Sequence, residues 1–353
     1  MKIAVGLSGG VDSSTVITLL KDQGHDVFGL TMKIWDKNLK LDIKSKGNAC
    51  FGPDEEEDTI ACEKLCESLH VPYYTIDLSK EYHDSIIKYF TSEYEAGRTP
   101  NPCVRCNSTM KFGFLLDKAH HAGISFDYFA TGHYAQIENI NNRFYIKKAV
   151  DSTKDQSYFI HRLSSETLSK VIFPLGKMTK KDVREKARSF GLESAEKADS
   201  QDFIAGGNYT VLFDKKFPEG DIVDESGKIL GRHTGIINYT IGQRKGINVG
   251  SAVPLFVKEI DAKNNRIIVT DNEKLFTQDI NISNAVLYEP VSSSPFYVKI
   301  RQNHEPARIG SFNYDSLGRK MFIHTVDRQR GITPGQAAVI YQDDLVVGYG
   351  TLE

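Results

Sequence analysis

Apolar runs and helix-like patterns alternate along the N-terminal half of the chain. Runs typical of buried strands lie at residues 2–7, 26–32, 71–76 and 126–131, and apolar side chains recur at helical spacing over 13–22, 55–70 and 80–96. Because strands that are separated by helices form βαβ units, this pattern predicts a parallel sheet. Ligands of such sheets bind at the carboxyl ends of the strands.

The pattern changes near residue 200, beyond which short alternating strands and turn signals dominate. Segments 266–270 and 337–341 read as strands, and turn sequences rich in Gly, Asp and Asn separate such segments. The second half is therefore predicted to be mostly β, with a break near residue 280. Residues 36–58, which are polar and contain glycine, are predicted to form a long functional loop.

Composition narrows the class of protein. The chain of 353 residues has 44 Lys and Arg against 46 Asp and Glu. This balance gives no global sign of a nucleic-acid partner, but it does not exclude a local basic face. The composition excludes disordered, collagen-like and disulfide-scaffold classes. No apolar run approaches the roughly 20 residues that span a bilayer, and the N-terminus reads as a strand rather than a signal peptide. We therefore expect a cytoplasmic protein without a membrane partner, whose five cysteines are free, metal-binding or catalytic.

The clearest chemical signal is a small-residue loop between the first strand and the first helix. Consecutive small residues let backbone amides approach an anion, and the helix N-terminus adds partial positive charge. No lysine follows Gly10, so this is not the kinase-type phosphate loop. The string Ser-Gly-Gly-Val-Asp-Ser-Ser is similar to the loop of N-type ATP pyrophosphatases, which cleave ATP to AMP and pyrophosphate.

That resemblance implies an ATP site with Mg²⁺. Asp12 would lie near the metal and the phosphates, and Met32 would line the adenine pocket unless it is a plain core residue. The ATP-binding residues carried over from the loop are Gly6, Leu7, Ser8, Gly9, Gly10, Val11, Asp12 and Ser13.

A second signal is the segment from Gly97 to Asn107, which holds two prolines and two cysteines. The prolines predict an extended, stiff segment. Cys103 and Cys106 are spaced to meet on one side of a turn. A neighbouring Arg and a following helix N-terminus predict a lowered thiol pKa, which favours the nucleophilic thiolate.

Several separated motifs together make the resemblance specific. They are the loop at 6–14 and the segments 97–107, 131–135, 151–159, 199–202, 239–246 and 333–336. In this order they resemble the tRNA-specific 2-thiouridylases, which replace the C2 oxygen of a wobble uridine with sulfur. The resemblance implies a PP-loop catalytic α/β domain over 1–200, a small central domain over 201–278 and a C-terminal β-barrel over 279–353.

The resemblance also implies site residues and partners. Gly132 would join the ATP site, Cys106 matches the nucleophile, and Asn101, Pro102 and Cys103 would abut the target base. The positions that match tRNA contacts are His133, Lys154, Asp155, Gln156, Arg301, Gln302 and Gln336. Gln302 is an imperfect match, because the usual residue there is aromatic. The implied partners are tRNA and a sulfur-donor protein or sulfide.

The chain departs from the family pattern at its cysteines. Cys103 stands where well-known members have Asp, and the usual second catalytic cysteine is missing from the string that begins Ser200-Gln201-Asp202-Phe203-Ile204. In one interpretation Cys103 and Cys106 share a persulfide mechanism. In another they hold a [4Fe–4S] cluster with Cys50. In a third they bind structural zinc with Cys62 and Cys66. These two cysteines lie four residues apart on a predicted helix, and the alternative is that they are buried in the core.

Two other functions fit parts of the sequence. The missing cysteine would suit a non-catalytic RNA-binding or sulfur-carrier protein, although the intact ATP loop speaks against it. An ATP pyrophosphatase that thiolates another RNA or activates a small molecule is the second. The β-rich second half and the motif at 239–246 argue against the small-molecule substrate.

Overall fold

A computed structural model describes residues 1–36, 49–198, 202–205 and 207–353 of the chain. These residues form two compact units. Unit 1 comprises residues 1–86 and 103–211, and unit 2 comprises residues 87–102 and 212–353. The domain boundaries at 200/201 and 278/279 stay predictions.

The helices occupy the predicted helical segments and several shorter ones. In the described residues they are α1 (Val11–Asp22), α2 (Glu55–Ser68), α3 (Ser79–Tyr82), α4 (Lys88–Glu95), α5 (Pro102–Arg105), α6 (Leu115–His121), α7 (Ser157–Ile160), α8 (Ser165–Leu168) and α9 (Lys180–Ser189). π-helical segments at His83–Ile87 and Cys106–Phe114 continue α3 into α4 and α5 into α6. Short 3-10 turns lie at Pro174–Lys177, Glu193–Glu196, Tyr209–Leu212, Ile236–Asn238 and Glu273–Leu275.

Unit 1 is built on a parallel sheet, as predicted. The strands described in this unit are β1 (Lys2–Gly6), β2 (Asp26–Lys33), β3 (Ala49–Phe51), β4 (Tyr73–Asp77), β5 (Tyr128–Ala130), β6 (Gln136–Ile140), β7 (Arg143–Lys147), β8 (Val171–Ile172) and β9 (Asp202–Ile204). Five of them form the sheet in the order β4-β2-β1-β5-β8, with every pair parallel. Ile3, Ala4 and Val5 of the central strand are fully buried, because a parallel sheet is covered on both faces.

Helices and short strand pairs make up the rest of unit 1. α1 lays Val16, Ile17 and Leu20 into the core and packs against α9. Gly24, with φ of +81°, turns the chain back into β2. Two further pairings lie within unit 1, β6 with β7 as an antiparallel hairpin and β3 with β9 in parallel.

The prediction of a loop over 36–58 is wrong in part. Residues 49–51 form β3, because they pair with a distant strand that local composition does not reveal, and α2 begins at Glu55, as the helical spacing over 55–70 predicted. The remainder of that prediction at 37–48 lies outside the described residues.

Unit 2 confirms the mostly β second half and its barrel. A four-stranded sheet in the order β11-β10-β13-β12 precedes a barrel of six antiparallel strands in the order β14-β17-β16-β15-β18-β19, which β14 and β19 close by pairing. The bounds are β10 (Gly220–Val223), β11 (Ile229–His233), β12 (Phe256–Asp261), β13 (Arg266–Thr270), β14 (Phe276–Leu287), β15 (Phe296–Lys299), β16 (Ala307–Asp315), β17 (Lys320–Arg330), β18 (Ala337–Gln342) and β19 (Leu345–Leu352). Ile280, Ile323 and Val339 are fully buried in it.

Within the described parts of the chain, no helix is both long and apolar enough to cross a bilayer.

Candidate active site

The loop between β1 and α1 has the geometry of a phosphate cradle. Gly9 has φ of +70°, and a Cβ there would lie 2.8 Å from a carboxylate oxygen of Asp58, so glycine is required. Gly10 is the N-cap of α1 in extended conformation, and the Ser14 hydroxyl donates to its carbonyl oxygen at 3.0 Å. The Ser8 amide donates to Ser13 Oγ at 3.2 Å. The loop thus curls over the first turn of α1, whose amides point toward the carboxyl edge of the sheet.

Gly132 closes one side of this cradle. It follows β5, the neighbour of β1, and a Cβ on it would lie 2.9 Å from both the Cβ of Asp12 and the backbone nitrogen of Ser13. Gly132 therefore lies against the first turn of α1, and its role toward ATP stays a prediction. Met32 is half-buried near the end of β2 at the same edge. The other predicted ATP-binding residues range from buried, at Leu7 and Val11, to exposed at Ser8.

The Asp12 carboxylate is bound by two side chains from distant parts of the chain. Lys180 Nζ lies 2.8 Å from each of its carboxylate oxygens, and the Tyr134 hydroxyl donates to one of them at 2.7 Å. The Lys180 side chain is only 12% exposed and also lies over the Tyr134 ring. An ion pair that is this well shielded is screened less by salt than a surface pair.

A second lysine reaches the same loop from the other side. Lys197 Nζ lies 3.3 Å from the carbonyl oxygen of Gly9 and 2.5 Å from a carboxylate oxygen of Asp58 on α2. Two lysines and two carboxylates therefore surround the start of α1. We call Asp12, Asp58, Lys180 and Lys197 the charged cluster.

The segment with the first catalytic candidates is helical rather than extended from Pro102 onward. Pro102 occupies the first position of α5, where a proline fits because its missing amide has no partner to lose. Cys103 in α5 and Cys106 at the start of the π-helical segment lie three residues apart, which places both on one side of the helix. Asn107 anchors this helix by donating to the carbonyl oxygen of Phe159 at 3.2 Å.

The expected lowering of the thiol pKa is wrong. Burial raises the pKa of the Cys103 thiol to about 11 and that of the Cys106 thiol to about 12. The Cys103 residue as a whole is exposed, but protein atoms surround its sulfur closely, and this disfavours the negatively charged thiolate. Lys111, one turn further along, opposes the effect because its positive charge favours both thiolates.

Cys50 interacts electrostatically with the thiols of Cys103 and Cys106. Its charge raises the pKa of both Cys103 and Cys106, although burial is the larger cause in each case. Cys50 is exposed on β3 and lies beside β9, the strand that contains Ile204. Ile204 is the position where the family string has its second catalytic cysteine, and it is buried in this chain.

Cys62 and Cys66 are core residues of unit 1. Both lie in the hydrophobic cluster under α1 and β1, at 2% and 1% exposure. Burial raises the pKa of Cys62 to about 11 and that of Cys66 to about 12, which makes them poor metal ligands. Among the residues that the structure describes, no group of three His, Cys, Asp or Glu side chains is arranged to hold a metal ion. The structure therefore gives the zinc interpretation no support.

Several residues that match tRNA contacts have structural partners in unit 1. His133 is buried and bonded through Nδ1 to the Thr131 hydroxyl at 2.7 Å, and burial holds its pKa well below the ordinary range. Asp155 accepts hydrogen bonds from the Ala149 amide and the Ser157 hydroxyl. Gln156 accepts from the Tyr134 amide, whereas Lys154 is half-buried beside them.

In unit 2 the matching residues hold loops together. Gln336 Nε2 donates to the carbonyl oxygens of Thr99 and Pro100, at 2.9 and 3.1 Å. Arg301 donates to the carbonyl oxygen of Gly331 at 2.7 Å, and Gln302 and Asn101 are half-buried. The roles of these residues toward RNA stay predictions. Of the motif at 199–202, Asp199, Ser200 and Gln201 lie outside the described residues.

The sequence alone gives no role to four side chains of this region. Lys180 and Lys197 reach the loop from 168 and 188 residues away along the chain. In the sequence, Tyr134 stands out only as part of the motif at 131–135, and nothing singles out Lys111. A lysine beside a glycine-rich loop was missed because only the fold brings it there.

Comparison with known proteins gives one consistent result. Residues 1–205 match the family model of the tRNA methyl transferase HUP domain, residues 212–271 its PRC-barrel domain, and residues 273–352 the aminomethyltransferase β-barrel domain. The tRNA-specific 2-thiouridylase MnmA of Endomicrobium trichonymphae is 42% identical over 100% of this chain and 99% of that protein. The tRNA-specific 2-thiouridylase MnmA of Lachnoclostridium phytofermentans is 40% identical over 99% of each.

Solved structures match only in part. NMN synthetase from Francisella tularensis aligns over 56% of this chain and 65% of that chain, with 15% identity and a TM-score of 0.33. A 4-thiouridine synthetase in complex with RNA and bound ATP aligns over 56% of this chain and 42% of that chain, with 16% identity and a TM-score of 0.33. Likenesses this distant carry no inference about function.

Proposed function

The chain belongs to the family of tRNA-specific 2-thiouridylases, and from this premise we propose that it uses ATP to replace the C2 oxygen of the wobble uridine of tRNA with sulfur. The observation that carries the proposal is the relationship to 2-thiouridylases along the whole chain. The cradle of the β1–α1 loop supports it, because it offers amides and glycines where a triphosphate would bind. The proposed partners are tRNA and a sulfur donor, and the proposed location is the cytoplasm.

The first chemical step is adenylation of the base. The uridine is flipped out of its stack, and its C2 oxygen attacks the α-phosphorus of ATP with loss of the N3 proton. The bond from that phosphorus to the bridging oxygen breaks, and pyrophosphate leaves. The amides of the first turn of α1 stabilise the charge that develops. Asp12 offers the carboxylate oxygens that Mg²⁺ prefers and would hold this ion, which neutralises phosphate charge when bound.

The second step delivers sulfur from the helix that carries Cys103 and Cys106. One of these cysteines carries the sulfur as a persulfide, whose terminal sulfur bonds to C2 while the C2–O bond breaks and AMP leaves. The thiolate of the other then attacks the first cysteine, the S–S bond to the transferred sulfur breaks, and a disulfide forms. The base keeps the sulfur and regains a proton at N3. A dithiol reductant then restores both thiols for a donor persulfide, or sulfide opens the disulfide into a persulfide and a thiol.

An iron–sulfur cluster held by Cys50, Cys103 and Cys106 is the alternative route. The effect of Cys50 on the pKa of the other two thiols supports their nearness. Among the described residues, however, no group of three His, Cys, Asp or Glu side chains is arranged to hold a metal ion.

Variants distinguish the two routes. The persulfide route requires that Cys103→Ser and Cys106→Ser abolish thiolation and that Cys50→Ser retains it. The cluster route requires that all three variants lose thiolation and that anaerobically purified protein contains iron and sulfide. Active protein that is colourless and iron-free would exclude the cluster.

The proposed function is tested in cells that lack the protein. Nucleosides from total tRNA are separated and quantified by mass spectrometry. We expect loss of wobble 2-thiouridine, restored by the wild-type gene but not by the Asp12→Asn variant. Unchanged 2-thiouridine would contradict the proposal. Restoration by Asp12→Asn would instead favour a carrier that needs no ATP.

A further inference from the structure

The phosphate loop carries no lysine of its own, yet two lysines from distant parts of the chain lie at its ends. The loop at residues 6–14 contains no basic side chain. Lys180 lies at the side chain of Asp12 and Lys197 at the carbonyl oxygen of Gly9. Each lysine is paired with a carboxylate of the charged cluster, so the cluster has no formal net charge.

The fold presents Lys180 at a fixed place. It is the first residue of α9, whose start is fixed by a capping box between Thr179 and Asp182. The backbone amide of Lys180 donates to a carboxylate oxygen of Asp151 at 2.9 Å. The side chain then passes over the Tyr134 ring to reach Asp12. A lysine held this way has already lost most of its rotamer freedom before any ligand arrives.

Lys197 is held by a different set of contacts. It follows the 3-10 turn at Glu193–Glu196, which packs near α1. Arg184 of α9 donates to the carbonyl oxygens of Ala195 and Lys197, at 2.6 and 3.1 Å. Two separate elements therefore aim an ammonium group at one helix N-terminus.

A purely structural ion pair does not explain why both lysines converge there. The side chains of Lys197 and Asp58 are 37% and 34% exposed, and exposed ion pairs of this kind add little to stability. ATP with its metal ion offers partners to both the carboxylates and the ammonium groups of the charged cluster. Carboxylates bind the divalent cation, and ammonium groups bind phosphate oxygens as point charges.

We propose that Lys180 and Lys197 are the phosphate-binding cations of the ATP site, and that each exchanges its carboxylate for a phosphate oxygen when ATP binds. The inference rests on the proposed function. Release of Lys180 frees Asp12 for the divalent cation. During adenylation the two ammonium groups then stabilise the charge of the departing pyrophosphate, as cations do in other phosphoryl transfers.

The test compares binding of ATP and of adenosine by titration calorimetry. A charge-assisted contact is worth about 1.5–3 kcal/mol, so we expect Lys180→Met and Lys197→Met each to weaken ATP binding by about tenfold or more. Adenosine lacks phosphates, and its affinity should change by less than about twofold. Lys180→Arg keeps the charge and should retain part of the ATP affinity.

Lys181→Met is the matched control for Lys180→Met. Lys181 is the next residue on α9, its side chain is 84% exposed, and its ion pair is with Glu185 on the same helix. Its substitution should leave ATP affinity unchanged. If Lys180→Met alone fails to fold because Asp12 is left unpaired, the double variant Asp12→Asn with Lys180→Met restores neutrality and is measured against Asp12→Asn.

Each outcome decides the proposal. Selective loss of ATP affinity supports it. Equal loss of ATP and adenosine affinity, or no loss at all, overturns it and leaves the lysines with a structural role. Failure of the wild-type protein to bind ATP would refute the proposed function itself, which keeps the two failures distinct.

Discussion

Gln336 is expected to hold the segment that leads into the cysteine helix, even without RNA. Its side-chain amide donates to Thr99 and Pro100, and the Thr99 amide donates to the carbonyl oxygen of Pro334 at 2.9 Å. A Cβ on Gly335 would lie 2.9 Å from the Thr99 carbonyl oxygen, so the two strands of chain are in close contact. We call these contacts the strap.

The perturbation is Gln336→Leu, which keeps the size of the side chain and removes both donated hydrogen bonds. Each bond is worth about 1 kcal/mol net, so the local opening of the strap should become about 2 kcal/mol easier. That corresponds to roughly 30-fold faster hydrogen exchange at the Thr99 amide, provided that exchange occurs by local opening.

The assay is hydrogen–deuterium exchange read by mass spectrometry on peptides that cover 98–102, in protein without RNA. Gln329→Leu is the matched control, because Gln329 Nε2 donates to the carbonyl oxygen of Asp327, two residues away in the same strand. Faster exchange in Gln336→Leu but not in Gln329→Leu supports a positioning role. Unchanged exchange in Gln336→Leu would refute it and leave Gln336 with RNA contact alone.

Three further predictions concern titration and the core. Cys66→Ser should lower the free energy of unfolding by about 1–3 kcal/mol in urea, because it buries a hydroxyl, while thiolation per folded molecule persists; loss of thiolation would contradict its core role. Alkylation of Cys106 should be slower than that of free cysteine at neutral pH, because burial raises its pKa to about 12, and Lys111→Met should slow it further. Mass spectrometry of labelled peptides measures the alkylation rate of Cys106 in the wild type and in Lys111→Met. A wild-type rate equal to that of free cysteine would contradict the raised pKa. Burial lowers the pKa of His161 from 6.5 to about 3, so the unfolded state binds one more proton between these values. Stability from this group is therefore lost as pH falls below 6.5, and His161→Phe should flatten the dependence of unfolding free energy on pH; an unchanged slope would contradict it.

Local patterns predicted those parts of the site that are built from neighbouring residues. The string from Gly6 to Ser14 encodes a strand, a turn and a helix N-terminus in one stretch, so its geometry follows from backbone rules. Strands of the second half likewise follow from the alternating pattern, because β13 coincides with the predicted strand at 266–270 and β18 with the one at 337–341.

Features that depend on distant chain segments were missed or wrong. The pKa of Cys106 was expected to fall because of its sequence neighbours, but burial by the surrounding fold outweighs them. Pro102 was interpreted as a sign of extended structure, although a proline also suits the first position of a helix. Strand β3 forms only because β9, more than a hundred residues later, pairs with it.

The central claim is that the C2 oxygen of the base leaves as part of AMP. Purified protein is incubated with ATP, a sulfur donor and a tRNA whose wobble uridine carries a heavy-oxygen label at C2, and the AMP is analysed by mass spectrometry. The account predicts one labelled oxygen in AMP for each 2-thiouridine formed. Label that appears in pyrophosphate or water, with 2-thiouridine formed and AMP unlabelled, would contradict it.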